Sequence, residues 1–263
     1  MDYVLLEKLV NKVKRQKGQE NKVKLLELLV QQFTEQNDAC MIAELALNFP
    51  KLVNLKVAED AILKIKHPRA SFRFAKFIPN AKISQHEQIV LEANDPCLSE
   101  LFSRIKGSNA KAHSKLILSN NRPMYSAWFI VDHPNVDRKL HEKVLQESNN
   151  PYYFYEAAKN SKGKNCESLE KYLLKMNNDV FSYLYAIDVP GANIPAHENV
   201  VLGYGDPEQV FLFAKDVPTS NIKRHINYLV FCYKDNPTEE LLNYIKQLKE
   251  IQKSREAKQD QPE

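Results

Sequence analysis

A large apolar residue, usually followed by a small one, recurs along this chain at steps of 27 to 29 residues: Leu45-Ala46, Phe74-Ala75, Phe102-Ser103, Phe129-Ile130, Ala157-Ala158, Tyr185-Ala186 and Phe213-Ala214. Phe49, Ile78, Val189 and Val217 follow one helical turn later, on the same face. A second apolar run fills the other half of each period, opened by Ile83, Ile194 and Ile222 and closed by Val90-Leu91, Ile117-Leu118 and Val201-Leu202. Two such runs per period predict a helix, a turn and a second helix. Helices of about eleven residues are too short to be stable alone, so each must bury its apolar stripe on a neighbouring unit.

The polar positions mark the ends of these helices. Asn109, Asp137, Asn165, Asn193 and Asn221 recur every 28 residues, with Asn54 and Lys82 continuing the series upstream. A second series, Pro68, Pro96, Pro123, Pro151, Asp179 and Pro207, mostly follows an Asx residue, as in Asp95-Pro96, Asn150-Pro151 and Asp206-Pro207. An Asx side chain caps free N–H groups, and proline at the first helical position needs no donor. Turns between the paired helices carry Pro79, Pro134, Pro190 or Pro218, or Gly107 and Gly163 where proline is missing.

These signals predict an all-α fold: a right-handed α-solenoid of about seven short helix-turn-helix repeats over residues 37–232. A basic N-terminal helical cap spans 1–36, with helices near 3–16 and 20–36. A C-terminal capping helix lies within 233–253, and 254–263 is expected to be a disordered tail. The unit seen in Gly205-Asp206-Pro207, Phe213-Ala214-Lys215, Val217-Pro218, Asn221-Ile222 and the pairs His86-Glu87 and His197-Glu198 resembles the short α-solenoid repeats of bacteria and bacteriophages. These are similar in logic to HEAT and armadillo arrays. The resemblance covers about three-quarters of the chain, implies a binding surface, and carries no common catalytic residue.

Composition narrows the picture. Six glycines in 263 residues leave few obvious places for left-handed turns or phosphate-cradling loops. No signal peptide and no apolar run of membrane-spanning length is readable. Cys40, Cys97, Cys166 and Cys232 are widely spaced, which fits reduced cysteines and a cytoplasmic location. Of the net charge of +4, the first 25 residues carry all of it, with seven basic side chains against three acidic. The solenoid body is therefore expected to be neutral behind a basic cap.

Three groups of residues could carry function. His86, His113, His141, His197 and His225 occupy one repeat position, with Leu169 at the missing rung. Stacked helices stand roughly 8–10 Å apart, too far to share a metal easily, so the series is expected to be structural, each imidazole bonding a backbone group of a turn or neighbouring repeat. No metal or other cofactor is expected. Tyr152 stands where other repeats have Arg69, Cys97, Met124, Val180 and Glu208, a variable set that points to exposure. With Trp128 and Met124 it forms the candidate protein-binding set. Lys76, Arg104, Lys159 and Lys215 make a basic row which, with Lys12, Lys14, Arg15 and Lys17, could follow a phosphate backbone or an acidic partner. Asp132, Asp188 and Asp216 follow at the next position and partly cancel such a row.

Enzyme signatures are thin. Gly203-Tyr204-Gly205 lacks the rest of a nucleotide-binding loop and is expected at a repeat junction. Trp128 and Asp132, four apart, bear a faint similarity to helical-repeat DNA glycosylases. The expectation is a non-enzymatic scaffold, inhibitor or adaptor that binds a protein, with no membrane and no small-molecule substrate. Sequence-nonspecific nucleic-acid binding is the alternative.

Overall fold

The computed structural model describes residues 3–259 and is all-α: 17 helices and no strand among the described residues. In chain order they are α1 Tyr3–Arg15, α2 Gln19–Glu35, α3 Ala39–Asn48, α4 Leu55–Ile65, α5 Pro68–Phe77, α6 Ile83–Glu92, α7 Pro96–Ser103, α8 Ala110–Ser119, α9 Pro123–Asp132, α10 Arg138–Ser148, α11 Pro151–Asn160, α12 Glu167–Lys175, α13 Asp179–Asp188, α14 Ile194–Tyr204, α15 Pro207–Asp216, α16 Ile222–Asp235 and α17 Glu239–Gln259. No helix among the described residues is long and apolar enough to cross a membrane.

Two compact units emerge, Met1–Tyr125 and Ser126–Glu263. In the first, Leu26, Phe33, Ile42, Leu45, Ile62 and Phe74 share a core, and Ala75, Val90 and Phe102 form a smaller one. In the second, Phe154, Tyr155, Leu169, Leu173 and Tyr185 form one core and Val201, Phe213, Leu229, Leu241 and Leu248 another. The first unit holds 20 basic and 13 acidic side chains, a net +7; the second holds 17 and 20, a net −3. The basic excess of the first unit lies at its two ends: residues 1–25 carry net +4 and residues 101–125 net +5, while 26–100 are net −2. Leu101–Val131 contains no acidic residue at all.

Most helix starts follow the Asx pattern. Asp95, Asn150 and Asp206 cap the helices opening at Pro96, Pro151 and Pro207, accepting from Cys97 N, Tyr152 N and Gln209 N at 2.8, 3.0 and 2.9 Å. Asn54, Asn109, Asn193 and Asn221 cap α4, α8, α14 and α16 in the same way. Three members of the expected series do not. Lys82 makes no side-chain cap bond to α6. Asp137 takes a left-handed conformation (φ 47°) that makes no side-chain cap bond to α10. Asn165 is also left-handed (φ 54°), which moves the cap of α12 to Cys166. Conversely, His67 replaces Asx before Pro68, its Nδ1 accepting from Ala70 N at 3.4 Å.

Glycine scarcity does not limit left-handed turns. Ten non-glycine residues have positive φ among those described, and seven are asparagine: Asn37, Asn80, Asn94, Asn121, Asn149, Asn165 and Asn177. Asn94, Asn121, Asn149 and Asn177 end the second helix of successive hairpins, a role glycine usually fills. Asparagine tolerates this conformation because its short amide bonds locally. Gly163 is different: a Cβ there would sit 2.1 Å from the Pro190 carbonyl oxygen, so contact with the next turn demands glycine.

Two further expectations are corrected. Gly203 lies inside α14, and only Gly205 ends it, at a site where a Cβ would meet the Val201 carbonyl at 2.5 Å. Helix α17 runs to Gln259, so 254–259 continue the helix; 260–263 lie outside the described residues. Arg255 holds this last stretch down, donating to the Ala214 carbonyl at 2.9 Å.

Candidate functional site

All five histidines of the series are fully buried. Four face a glutamate 26 or 27 residues earlier: His86 Nε2 to Glu59 at 3.3 Å, His113 to Glu87 at 3.1 Å, His197 to Glu170 at 3.1 Å and His225 to Glu198 at 3.0 Å. The same carboxylate oxygen accepts the backbone N–H at the start of the helix that carries the histidine, from Lys82 (2.6 Å), Asn109 (2.5 Å), Asn193 (2.7 Å) and Asn221 (2.6 Å). The expected backbone partner is met at His225, whose Nδ1 bonds the Val210 carbonyl oxygen. At Nε2 all four meet a side chain that ties ring and cap together, and it explains why glutamate so often follows histidine in this sequence.

The other ring nitrogen has its own position in the repeat. His113 Nδ1 lies 2.7 Å from Ser99 Oγ and His141 Nδ1 3.0 Å from Ser126 Oγ, while His225 Nδ1 lies 3.0 Å from the Val210 carbonyl oxygen. Ser71, Ser99, Ser126 and Ser182 are all fully buried at this position. Their spacing of 28, 27 and 56 residues, the last spanning two periods across Phe154, is readable but hidden among commonplace serines. An aromatic ring covers each imidazole: Phe74 on His86 (5.4 Å), Phe102 on His113 (5.5 Å), Phe129 on His141 (4.7 Å), Tyr185 on His197 (4.8 Å) and Phe213 on His225 (5.5 Å). Burial lowers the pKa of His86, His197 and His225, and that of His141 to about 4. Neutral imidazole donates from Nε2 to a carboxylate and accepts at Nδ1 from serine, which fits the Ser99–His113–Glu87 chain. At the apolar rung Leu169, Ala157 replaces the aromatic and Phe154 the serine. Glu142 turns to Arg138 Nε and Ser168 Oγ, both at 2.7 Å.

Among the described residues, no group of three or more His, Cys, Asp or Glu could hold a metal ion. Cys40 Sγ lies 3.6 Å from His67 Nδ1 beside a cleft of about 640 Å³ that Glu44 and Arg73 also line. Burial and then Asp38 push the Cys40 thiol pKa up, keeping it protonated near neutral pH.

The basic row is exposed, and each member rests on the residue four positions before it. Lys76 Nζ sits 5.4 Å from the Phe72 ring centre, Lys159 5.2 Å from Tyr155 and Lys215 5.7 Å from Phe211, while Arg104 pairs with Glu100. Lys159 also donates to Asp188 at 2.9 Å, and Tyr155 donates to the same carboxylate. These two bonds hold the Asp188 pKa down. Tyr183 repeats the contact on Asp216 at 2.7 Å, and burial with that acceptor raises its pKa to about 12. In the second unit Asp188 thus offsets Lys159, while Asp216 takes the Tyr183 hydroxyl. In the first unit, Lys76, Arg104 and Lys106 line a cavity of about 650 Å³ that has no acidic side chain. Lys8, Lys12 and Arg15 line another of about 350 Å³ on α1; Lys14 and Lys17 are exposed outside it.

Tyr152 is 41 % exposed and packs edge-on against Tyr153 (5.5 Å) and Phe181 (6.2 Å). Val180, its equivalent one repeat on, is 42 % exposed. Trp128 and Met124 are half-buried on α9, where Asp132 is exposed. Tyr155 and Phe211 are core residues, while Phe72 and Tyr183 are half-buried. No protein family, curated protein or solved structure matches this chain.

Proposed function

We propose that this chain is a non-enzymatic scaffold or adaptor that binds another protein through one face of a right-handed α-solenoid of about seven helical hairpins. The observation that carries this reading is where its chemistry lies. Glutamates and histidines suited to catalysis are buried and bonded to one another, with Ser99 extending the chain at His113, while Tyr152 and Val180 stay exposed beside the partly covered Tyr153 and Phe181. Aromatic side chains held by neighbours are the usual anchors of protein interfaces. Affinity capture from the native host, run with and without nuclease, tests it. A protein retained by the wild type regardless of nuclease, and lost with Tyr152→Ala/Val180→Ser, is expected; identical retention by the variant would count against this surface.

The cavity of Lys76, Arg104 and Lys106 favours a second reading, nucleic-acid binding by the first unit with its net +7. Phosphate contacts release counterions, so retention in a gel-shift titration must fall steeply with salt. Absence of retention at low salt would eliminate it.

A further inference from the structure

A groove of about 640 Å³ runs between α2 and α4 in the first unit. It is lined on α2 by Leu26, Glu27, Val30, Gln31, Thr34 and Glu35, spaced as one stripe of a helix. On the other side stand Val53, Asn54, Val57, Asp60, Ala61 and Lys64, a matching stripe of α4 and the turn before it. The floor is apolar, and Val57 is 53 % exposed above it.

Ala61 opens this groove. The equivalent position, three residues after the histidine rung, holds Ile89, Leu116, Val144, Tyr172, Val200 and Tyr228 in the other hairpins. Only here is the side chain a single methyl, so a volume filled elsewhere by a branched or aromatic group is left open. The rim is acidic, like the stretch that carries it. Glu27, Glu35 and Asp60 flank it against Lys64, and residues 26–65 hold six acidic side chains to three basic. Asp60 is already bonded to Lys82 at 2.6 Å, leaving Glu27 and Glu35 as the principal charges on offer.

We infer that this groove takes an amphipathic helix with basic flanks from a protein partner. Two facing helical stripes over an apolar floor accept a third helix by ridge-into-groove packing. The stretch from Leu26 to Glu35 is about 15 Å long, roughly three turns of the guest. Lysine or arginine on the guest's flanks would meet Glu27 and Glu35, and such charges set orientation and partner choice. This goes beyond the Tyr152 surface and uses none of its residues, so either can fail alone.

The test is a fluorescence-anisotropy titration of the full chain with a labelled two-heptad peptide, leucines on one face and lysines on its flanks, beside a twin with glutamates for the lysines. The lysine peptide is expected to bind about tenfold or more tightly than its twin, weakening as salt rises. Ala61→Tyr, which places at this position the residue found at 172 and 228, should fill the groove, keep the helical circular dichroism and cost about tenfold or more in affinity. Val57→Glu should leave lysine-peptide binding detectable while altering its salt dependence. No saturable binding at millimolar peptide, equal affinity for both peptides, or unchanged binding by a folded Ala61→Tyr protein would each overturn the inference. So would Ala61-dependent self-association in light scattering, which would make a second copy the occupant.

Discussion

Glu87 Oε1 lies 3.1 Å from His113 Nε2 and accepts the N–H of Asn109 as well, so one buried oxygen joins a helix to both the cap and the first turn of the helix that follows it in the next hairpin. Short helices need such ties because none is long enough to stand alone.

Removing that oxygen leaves a buried imidazole N–H and a backbone N–H short of an acceptor. Glu87→Ala is expected to cost about 2–4 kcal/mol. Glu142→Ala is the internal control: the residue 27 positions on is Leu169 instead of histidine, and its carboxylate bonds Arg138 and Ser168, so a loss of about 1 kcal/mol is expected. Urea denaturation of both variants checks the contrast, and equal losses would deny the histidine contact any special weight.

The buried histidines make stability depend on acid. His141 has a folded pKa of about 4 against 6.5 when free, because burial disfavours its charged form. The unfolded chain therefore binds more protons between these values, and stability falls as pH drops from about 6.5 towards 4. Above 6.5 this contribution is constant. The shift is worth on the order of 3 kcal/mol for this residue, and His86, His197 and His225 act in the same direction. Asp60 and Asp188, whose pKa values are lowered by hydrogen bonds, lose their contribution only as pH falls below the ordinary carboxylate range. Midpoints measured from pH 7.5 to 4.5 should show the slope, and His141→Gln should flatten it.

Helices, caps and turns were legible because each is written locally, in three or four residues around Asx, Pro and an apolar stripe. The left-handed asparagines escaped because asparagine also marks helix starts, and residue type alone does not separate Asn94 at an end from Asn109 at a start. The histidine rungs stood out, but their partner did not, because the bond joins residues 26 or 27 apart that sequence places beside each other only after the hairpins stack. Ala61 escaped for another reason: its meaning lies in what the six equivalent positions hold, and a lone alanine in a helix draws no notice.

Leu169 provides the sharpest test that the rung is one coupled unit. Three positions change together there: leucine for histidine, Ala157 for the covering ring, and Phe154 for the serine. Leu169 and Phe154 are fully buried, so Leu169→His alone would place a polar ring in a site whose neighbours are shaped for hydrocarbon. A cost of roughly 2–4 kcal/mol follows from burying imidazole without its partners. Adding Phe154→Ser and Ala157→Phe supplies the hydroxyl and the ring, and Glu142 already stands 27 residues upstream where a carboxylate is needed. Each added change is destabilising in the wild-type background, since Phe154→Ser opens a cavity and Ala157→Phe overpacks one. The triple variant should nevertheless be more stable than the sum of its parts by about 2 kcal/mol or more, measured as the interaction term of a mutant cycle. Strict additivity would mean that glutamate, histidine, ring and serine are independent neighbours, and the coupling read from their shared spacing would be lost.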